Sequence, residues 1–230
     1  MSYDILLFDA DNTLFDFSAA ERECFFELAP LYNIPQTENA YEAYRDFNLE
    51  SWKDIEKGVA DKHFLLLRRY VKLFDYLGID GDAEKLNDDF LNKLAEKSIV
   101  YPYTPALLKN LAACGKRIFM ITNGVASVQH GRLDRSEIKN SFEKVFISEE
   151  AGASKPHKDY FEFVAKHIEG FDKKKAIVIG DSLTGDIAGA NGYGLDCIWF
   201  NPENLPMPAK YKANFIAKTL QEVENYLIGK

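Results

Sequence analysis

The chain has 230 residues, 47% of them apolar and 28% charged, with a net charge of −8. That length can bury a good core and holds one domain, or one domain with an insertion; the composition is too apolar for disorder. The negative balance disfavours nonspecific binding to nucleic acid polymers or to anionic membranes, both of which need a positive footprint.

Residues Ile5-Leu6-Leu7-Phe8 form an apolar run that leads straight into Asp9-Ala10-Asp11-Asn12-Thr13. The run predicts a strand buried on both faces, in the middle of a parallel sheet. The acids after it do not make a calcium loop, because Leu14 stands where the EF-hand needs Gly and Ala20 where it needs Glu. Two carboxylates this close repel, so they need a cation, a shared proton, or both.

From Asp16 to about Ile99 the periodicity is helical throughout. Ser18 and Glu21 have capping-box spacing and open a helix carrying Cys24, Phe25, Leu28 and Leu31. Thr37 precedes a second helix with Tyr41, Tyr44 and Phe47 on one face and Trp52 and Ile55 further on, ending or bending at Gly58. Asp61 caps a third, with Phe64, Leu67, Val71 and Phe74, stopped at Gly78. Asp82 caps a fourth, with Leu86, Phe90 and Leu94. Four helices with their own apolar seam predict a small bundle inserted at residues 16–99.

Tyr101-Pro102-Tyr103-Thr104-Pro105 is the return linker, with Thr104 as N-cap and Pro105 at the first helical position. Strands are then predicted at Arg117–Ile121, Lys144–Ile147, Ala176–Ile179, Leu195–Phe200 and Asn214–Ala217. Helices fill the intervals: one up to Cys114, one over Ser127–Arg135, one opened by Ser154-Lys155-Pro156, a small-residue helix through Asp186, and a last one over Leu220–Leu227. The expected fold is α/β, a doubly wound parallel sheet made of residues 1–15 and 100–230.

Four strand ends carry polar residues: Asp9 with Asp11, Thr122 with Asn123, Lys155 a little past its strand, and Asp181 with Asp186. Strand ends of a parallel sheet share one edge, so these groups can converge. The order DxDxT, a strand ending in Thr, Lys-Pro, then GDxxxxD resembles the four-motif signature of the haloacid-dehalogenase-like hydrolases. The run Asp9 to Phe17, with Ile121-Thr-Asn-Gly and the stretch from Ser148 to Pro156, looks most like their pyrimidine 5′-nucleotidase branch.

The resemblance implies a Rossmann-like core with a helical cap at 16–99, and a phosphomonoester hydrolase working through an aspartyl phosphate. It implies Asp9 as nucleophile and Asp11 as the acid that protonates the leaving oxygen and then activates water. Mg²⁺ would be held by Asp9, the Asp11 carbonyl and Asp181. Asp186 would orient Lys155 or act through water. Thr122, Lys155 and the backbone N–H groups around Asn123 would bind the phosphoryl oxygens. With Asp11 protonated, the three remaining carboxylates are matched by Lys155 and a divalent ion.

Within the cap, the branch has a comparable Trp before a Gly, which points to Trp52 and Lys53 as residues facing the substrate. The implied substrate is a small phosphorylated metabolite, a pyrimidine nucleoside monophosphate first. A β-phosphoglucomutase-like phosphotransferase or a sugar-phosphate phosphatase shares the motifs; a haloacid dehalogenase would need neither Asp11 nor the Asp181/Asp186 pair. Cys24, Cys114 and Cys197 read as small core residues of a reducing compartment. His63, His130, His157 and His167 have no zinc spacing. With no signal-type opening and no apolar run of about 18 residues, the expected location is cytoplasmic.

Overall fold

The computed structural model describes residues 3–229. In chain order, β1 (Ile5–Asp9) is followed by α1 (Phe17–Leu28), α2 (Glu38–Glu56), α3 (Lys62–Leu77) and α4 (Ala83–Glu96). Then come α5 (Thr104–Ala113), β2 (Arg117–Thr122), α6 (Ala126–Asp134), β3 (Lys144–Ile147), the one-turn α7 (Ser148–Ala151) and α8 (Lys158–Lys166). The chain finishes with β4 (Ala176–Gly180), a π-helical turn at Leu183–Ile187, α9 (Ala188–Tyr193), β5 (Asp196–Phe200), β6 (Phe215–Ala217) and α10 (Leu220–Ile228). It divides into two compact units, Met1–Phe17 with Ser98–Lys230, and Ser18–Lys97.

The first unit is built on a six-stranded sheet, order β3-β2-β1-β4-β5-β6, with every neighbouring pair parallel. This is the doubly wound α/β architecture expected from the strand and helix alternation. Its central strand β1 is buried at every residue because both faces are covered. Leu6 and Phe8 pack in one core with Leu107 and Leu111 of α5 and Val223 of α10. Ile5 and Leu7 pack in the other with Tyr160, Phe161 and Val164 of α8. After β1 the chain moves outward to β2 and β3, then returns to the far side of β1 as β4. Asp9 thus ends the strand at the switch point, where open α/β sheets place ligands.

The two connections to the helical unit run beside each other within this first unit. Phe15 forms an antiparallel bridge with Val100, and the Asp16 amide donates to the Ile99 carbonyl at 2.9 Å. Thr104 does not cap α5: the helix starts at Thr104, Tyr103 takes the cap position, and the Thr104 hydroxyl donates to the Leu14 carbonyl at 2.9 Å. That bond ties the return linker to the end of the first motif. Ser154-Lys155-Pro156 likewise precedes α8 by a turn, since the Lys155 amide is held by Asn123 before the helix begins.

In the helical unit the caps stand where the side chains put them. Thr37, Asp61 and Asp82 accept from the amides of Ala40, Phe64 and Lys85. Gly78 closes α3 in the left-handed conformation that glycine adopts without strain. The buried faces differ from the expected ones. On α3 they are Leu65, Leu66, Arg69, Tyr70, Leu73 and Phe74, leaving Phe64 and Val71 exposed, and on α2 the face runs through Asn48 and Ser51 instead of Phe47 and Trp52. Leu31 is exposed because the chain has left α1 for a 3₁₀ turn at Ala29–Tyr32.

The shift has a physical cause. The seam is not purely apolar: Arg69 Nη1 donates to Asn48 Oδ1 at 2.6 Å, Asn48 Nδ2 to Glu21 Oε1 at 2.6 Å, and Arg69 Nη2 to Asn87 Oδ1 at 3.1 Å. Glu21, expected in a capping box, is the buried end of this chain, and burial pushes its carboxyl up to about 7. A buried guanidinium demands partners, and those partners select which residues face inward. Cys24 and Cys197 are buried and Cys114 is exposed at the end of α5, so it is no core residue. Among the described residues no helix is long and apolar enough to cross a membrane.

Candidate active site

Three strand ends and one loop bring charged groups together at Asp9. Lys155 Nζ donates to Asp9 Oδ1 at 2.6 Å, to Asp186 Oδ1 at 2.7 Å and to the Ile121 carbonyl at 3.1 Å. Those three bonds use all three N–H groups of the ammonium. Lys155, Asp9 and Asp186 are all buried. Burial alone would neutralise the amine, but the carboxylates of Asp186 and Asp9 outweigh it and hold Lys155 charged.

The amine is placed from its backbone. Asn123 Nδ2 donates to the Lys155 carbonyl at 2.8 Å, and Asn123 Oδ1 accepts from the Lys155 amide at 2.9 Å. The Asn123 side chain therefore holds Lys155. Thr122 is buried at the end of β2. Its amide donates to the Tyr160 hydroxyl at 3.1 Å, and its own hydroxyl accepts from the Gly124 amide at 3.0 Å. That acceptor role leaves the hydroxyl proton to donate elsewhere.

Asp186 sits in the π-helical turn, and its Oδ2 accepts from the Ser182 amide at 3.1 Å. Both of its oxygens are thus engaged, one by Lys155. Gly180 makes room for it: a Cβ there would lie 2.2 Å from Asp186 Oδ2. Gly180→Ala is expected to push Asp186 off Lys155 and lower kcat by ~10–100-fold, read by steady-state kinetics at unchanged fold.

Asp9, Asp181 and Asp186 bring carboxylate oxygens within 4.8 Å of one another. Thr13 donates to Asp181 Oδ1 at 3.4 Å, and Trp199 donates to the Asp181 carbonyl at 2.8 Å. Burial pushes the Asp9 carboxyl up to about 7, with Lys155 pulling it back and Asp186 and Asp11 adding repulsion. Burial, then Asp9 and Asp186, push Asp181 well above the usual carboxylate range. One ammonium faces three acids, an excess of negative charge with an all-oxygen donor set. A hard divalent cation such as Mg²⁺ fits that set.

Asp11 follows in the turn after β1, where Asn12 adopts a left-handed φ of 58°. It is reached by two residues that the sequence reading passed over. Gln129 Nε2 donates to Asp11 Oδ2 at 2.8 Å, and Arg132 Nη2 pairs with Asp11 Oδ1. Both lie on α6 and are buried. Val128, Gln129, Arg132 and Leu133 form one inward stripe, which shows only once α6 is packed, so two polar residues stand inside a buried face. Arg132 also adds a positive charge missing from the charge balance drawn from sequence. Trp52 and Lys53 belong to α2 of the helical unit, where Lys62 Nζ lies 5.4 Å from the centre of the Trp52 ring.

A buried acid–amine cluster at the switch point of a parallel sheet is the seat of an enzyme working from its strand ends. Comparison with known families matches residues 3–194 to the family described as haloacid dehalogenase-like hydrolase. The chain belongs to the haloacid dehalogenase-like hydrolases. It is 36% identical to the pyrimidine 5′-nucleotidase PynA of Streptococcus pneumoniae over 205 residues, covering 89% of this chain and 86% of that one. With the pyrimidine 5′-nucleotidase YjjG of Escherichia coli the identity is 29%, over 99% of both chains. Among solved structures it resembles the HAD-hydrolase YfnB of Bacillus subtilis, crystallised bound to magnesium, with a TM-score of 0.94, 32% identity and 99% coverage of each chain.

Proposed function

We propose that the protein is a phosphomonoesterase that acts through an aspartyl phosphate on small phosphorylated metabolites, pyrimidine nucleoside 5′-monophosphates first among them. The observation that carries this reading is the buried Lys155 amine 2.6 Å from Asp9 Oδ1. It puts a fixed positive charge beside a carboxylate at the point where phosphoryl oxygens would arrive. Kinship with nucleotidases at 36% and 29% identity supports the substrate class.

In this reading an Asp9 oxygen attacks phosphorus, and the bond to the leaving 5′-oxygen breaks as Asp11 gives that oxygen a proton. Water then attacks phosphorus, Asp11 takes its proton, and the bond to Asp9 breaks to restore the carboxylate. Lys155, whose N–H groups are engaged within the site, attracts the phosphoryl oxygens by its charge, and the Thr122 hydroxyl holds them, helped by backbone N–H groups around Asn123. Asp186 keeps Lys155 in place. Asp9, Asp181 and the Asp11 carbonyl would hold Mg²⁺, which when bound offsets the charge of the phosphoryl oxygens. Substrate selectivity is assigned to the helical unit, with Trp52 and Lys53 as the residues that carry it. Free cysteines suit a cytoplasmic, reducing setting.

A phosphate-release panel tests the substrate. UMP, dUMP and dTMP are expected to turn over faster than hexose phosphates, and EDTA to abolish release until Mg²⁺ is restored. Trp52→Ala should flatten the preference for pyrimidine nucleotides. Hexose phosphates turning over far faster than nucleotides would refute the nucleotidase reading, and phosphate shuttling without release would indicate a mutase. Mg²⁺ binding has a second readout. At a hundredfold excess over its Kd it should stabilise the protein by about 2.7 kcal/mol in thermal unfolding.

A further inference from the structure

Asp11 stands in a turn beyond the end of β1, and its side chain is about a quarter exposed, at 27%. A short carboxylate in such a place would sample several rotamers unless something fixed it. Both of its oxygens are taken by α6: Oδ2 by Gln129 Nε2 at 2.8 Å and Oδ1 by Arg132 Nη2. The two partners are themselves joined, because Gln129 Oε1 accepts from Arg132 Nη2 at 2.9 Å and from Arg132 Nε at 3.3 Å. This closes a three-membered ring of side chains and sets the amide's orientation, nitrogen towards Asp11 and oxygen towards Arg132. The guanidinium also lies 4.6 Å from the centre of the Phe15 ring, which fixes its other face.

A second feature locks the ring from outside. Gln129 covers Gly124, where a Cβ would stand 1.9 Å from Gln129 Nε2. Gly124 in turn donates to the Thr122 hydroxyl. Gln129 therefore links the loop after β2 to the acid after β1. Each Asp11 oxygen still keeps a lone-pair direction not used by its α6 partner, so the carboxyl is held without being blocked.

We propose that Gln129 and Arg132 are positioning residues that hold the Asp11 carboxyl in the orientation needed to move protons. The proposal rests on the aspartyl-phosphate reading above. A misaimed acid slows two steps, protonation of the leaving group and activation of water, and leaves binding intact.

The test uses the full-length protein with Mg²⁺ and two substrates, UMP and p-nitrophenyl phosphate. Nitrophenolate leaves without a proton, so only the second step on that substrate needs Asp11. Gln129→Leu should lower kcat for UMP by ~10–100-fold with KM changed by no more than about twofold. On p-nitrophenyl phosphate the same variant should release a burst of about one nitrophenolate per site, larger than in wild type, before a slow steady rate. Gly124→Ala crowds Gln129 Nε2 without removing any polar atom of the ring and should give the same two signatures, which covers a Gln129→Leu protein that fails to fold. Wild-type kinetics in a folded variant, or equal losses on both substrates with no added burst, would overturn the proposal. A wild-type enzyme that releases phosphate from neither substrate would overturn the underlying reading and this proposal with it. A wild type that is active while both variants behave normally would overturn the proposal alone.

Discussion

Asp9→Asn is expected to leave less than about one ten-thousandth of wild-type phosphate release on every substrate, because a carboxamide is a poor nucleophile. The fold should survive. The substitution keeps the shape of the side chain and removes one of three acids whose oxygens lie within 4.8 Å of one another. Thermal unfolding without added metal should therefore show no loss of Tm. Mass spectrometry of protein quenched in acid during turnover should find a phosphorylated wild type and an unmodified variant. Full turnover by the variant would remove the covalent mechanism altogether.

Lys155→Met is expected to be inactive as well, but for this residue the fold also pays. The amine is the only positive group bonded to both Asp9 and Asp186 among the described residues, and all three are buried. Removing the amine leaves the buried acids around it uncompensated, which typically costs ~3–5 kcal/mol. For a chain of this size that is on the order of 6–20 °C in Tm. Lys158→Ala supplies the contrast. Lys158 pairs with Glu162 four residues away, with both side chains more than half exposed, at 65% and 53%. Water screens that pair, and losing it should cost no more than about 0.5 kcal/mol. Denaturant melts of the two variants, side by side with wild type, would expose an error in either assignment: equal losses would mean that the Lys155 cluster is not the buried charge centre described above.

The strands of the sheet were legible because each is a short apolar run between turn residues, and β1 carries no polar residue before Asp9. Their parallel pairing followed from the alternation with helices, while their order around β1 came only with the structure. The helix starts at Glu38, Lys62 and Ala83 were legible from Thr37, Asp61 and Asp82, whose side chains bond the backbone locally. What failed was anything decided at long range. Thr104 looks like a cap from its neighbours in sequence, yet its hydroxyl goes to Leu14, 90 residues earlier. The inward faces of α2 and α3 were misread because apolar spacing was followed, while Arg69 and Asn48 had claimed the interior. Around the candidate site, Asp9, Lys155, Asp181 and Asp186 stood out because acids and an amine at strand ends are unusual. Gln129 and Arg132 did not, since a polar pair on a short helix reads as a wet surface until the helix is seen to turn it inward.

The paired linkers have a consequence for how such a protein can change. Phe15 and Val100 lie side by side, so the excursion from residue 18 to residue 97 leaves and re-enters the sheet through one narrow doorway. A foreign segment of any length whose two ends meet at that spacing could be transplanted there without disturbing a single rung of the β ladder. Lineages could thus trade one module for another and keep the strand-end chemistry.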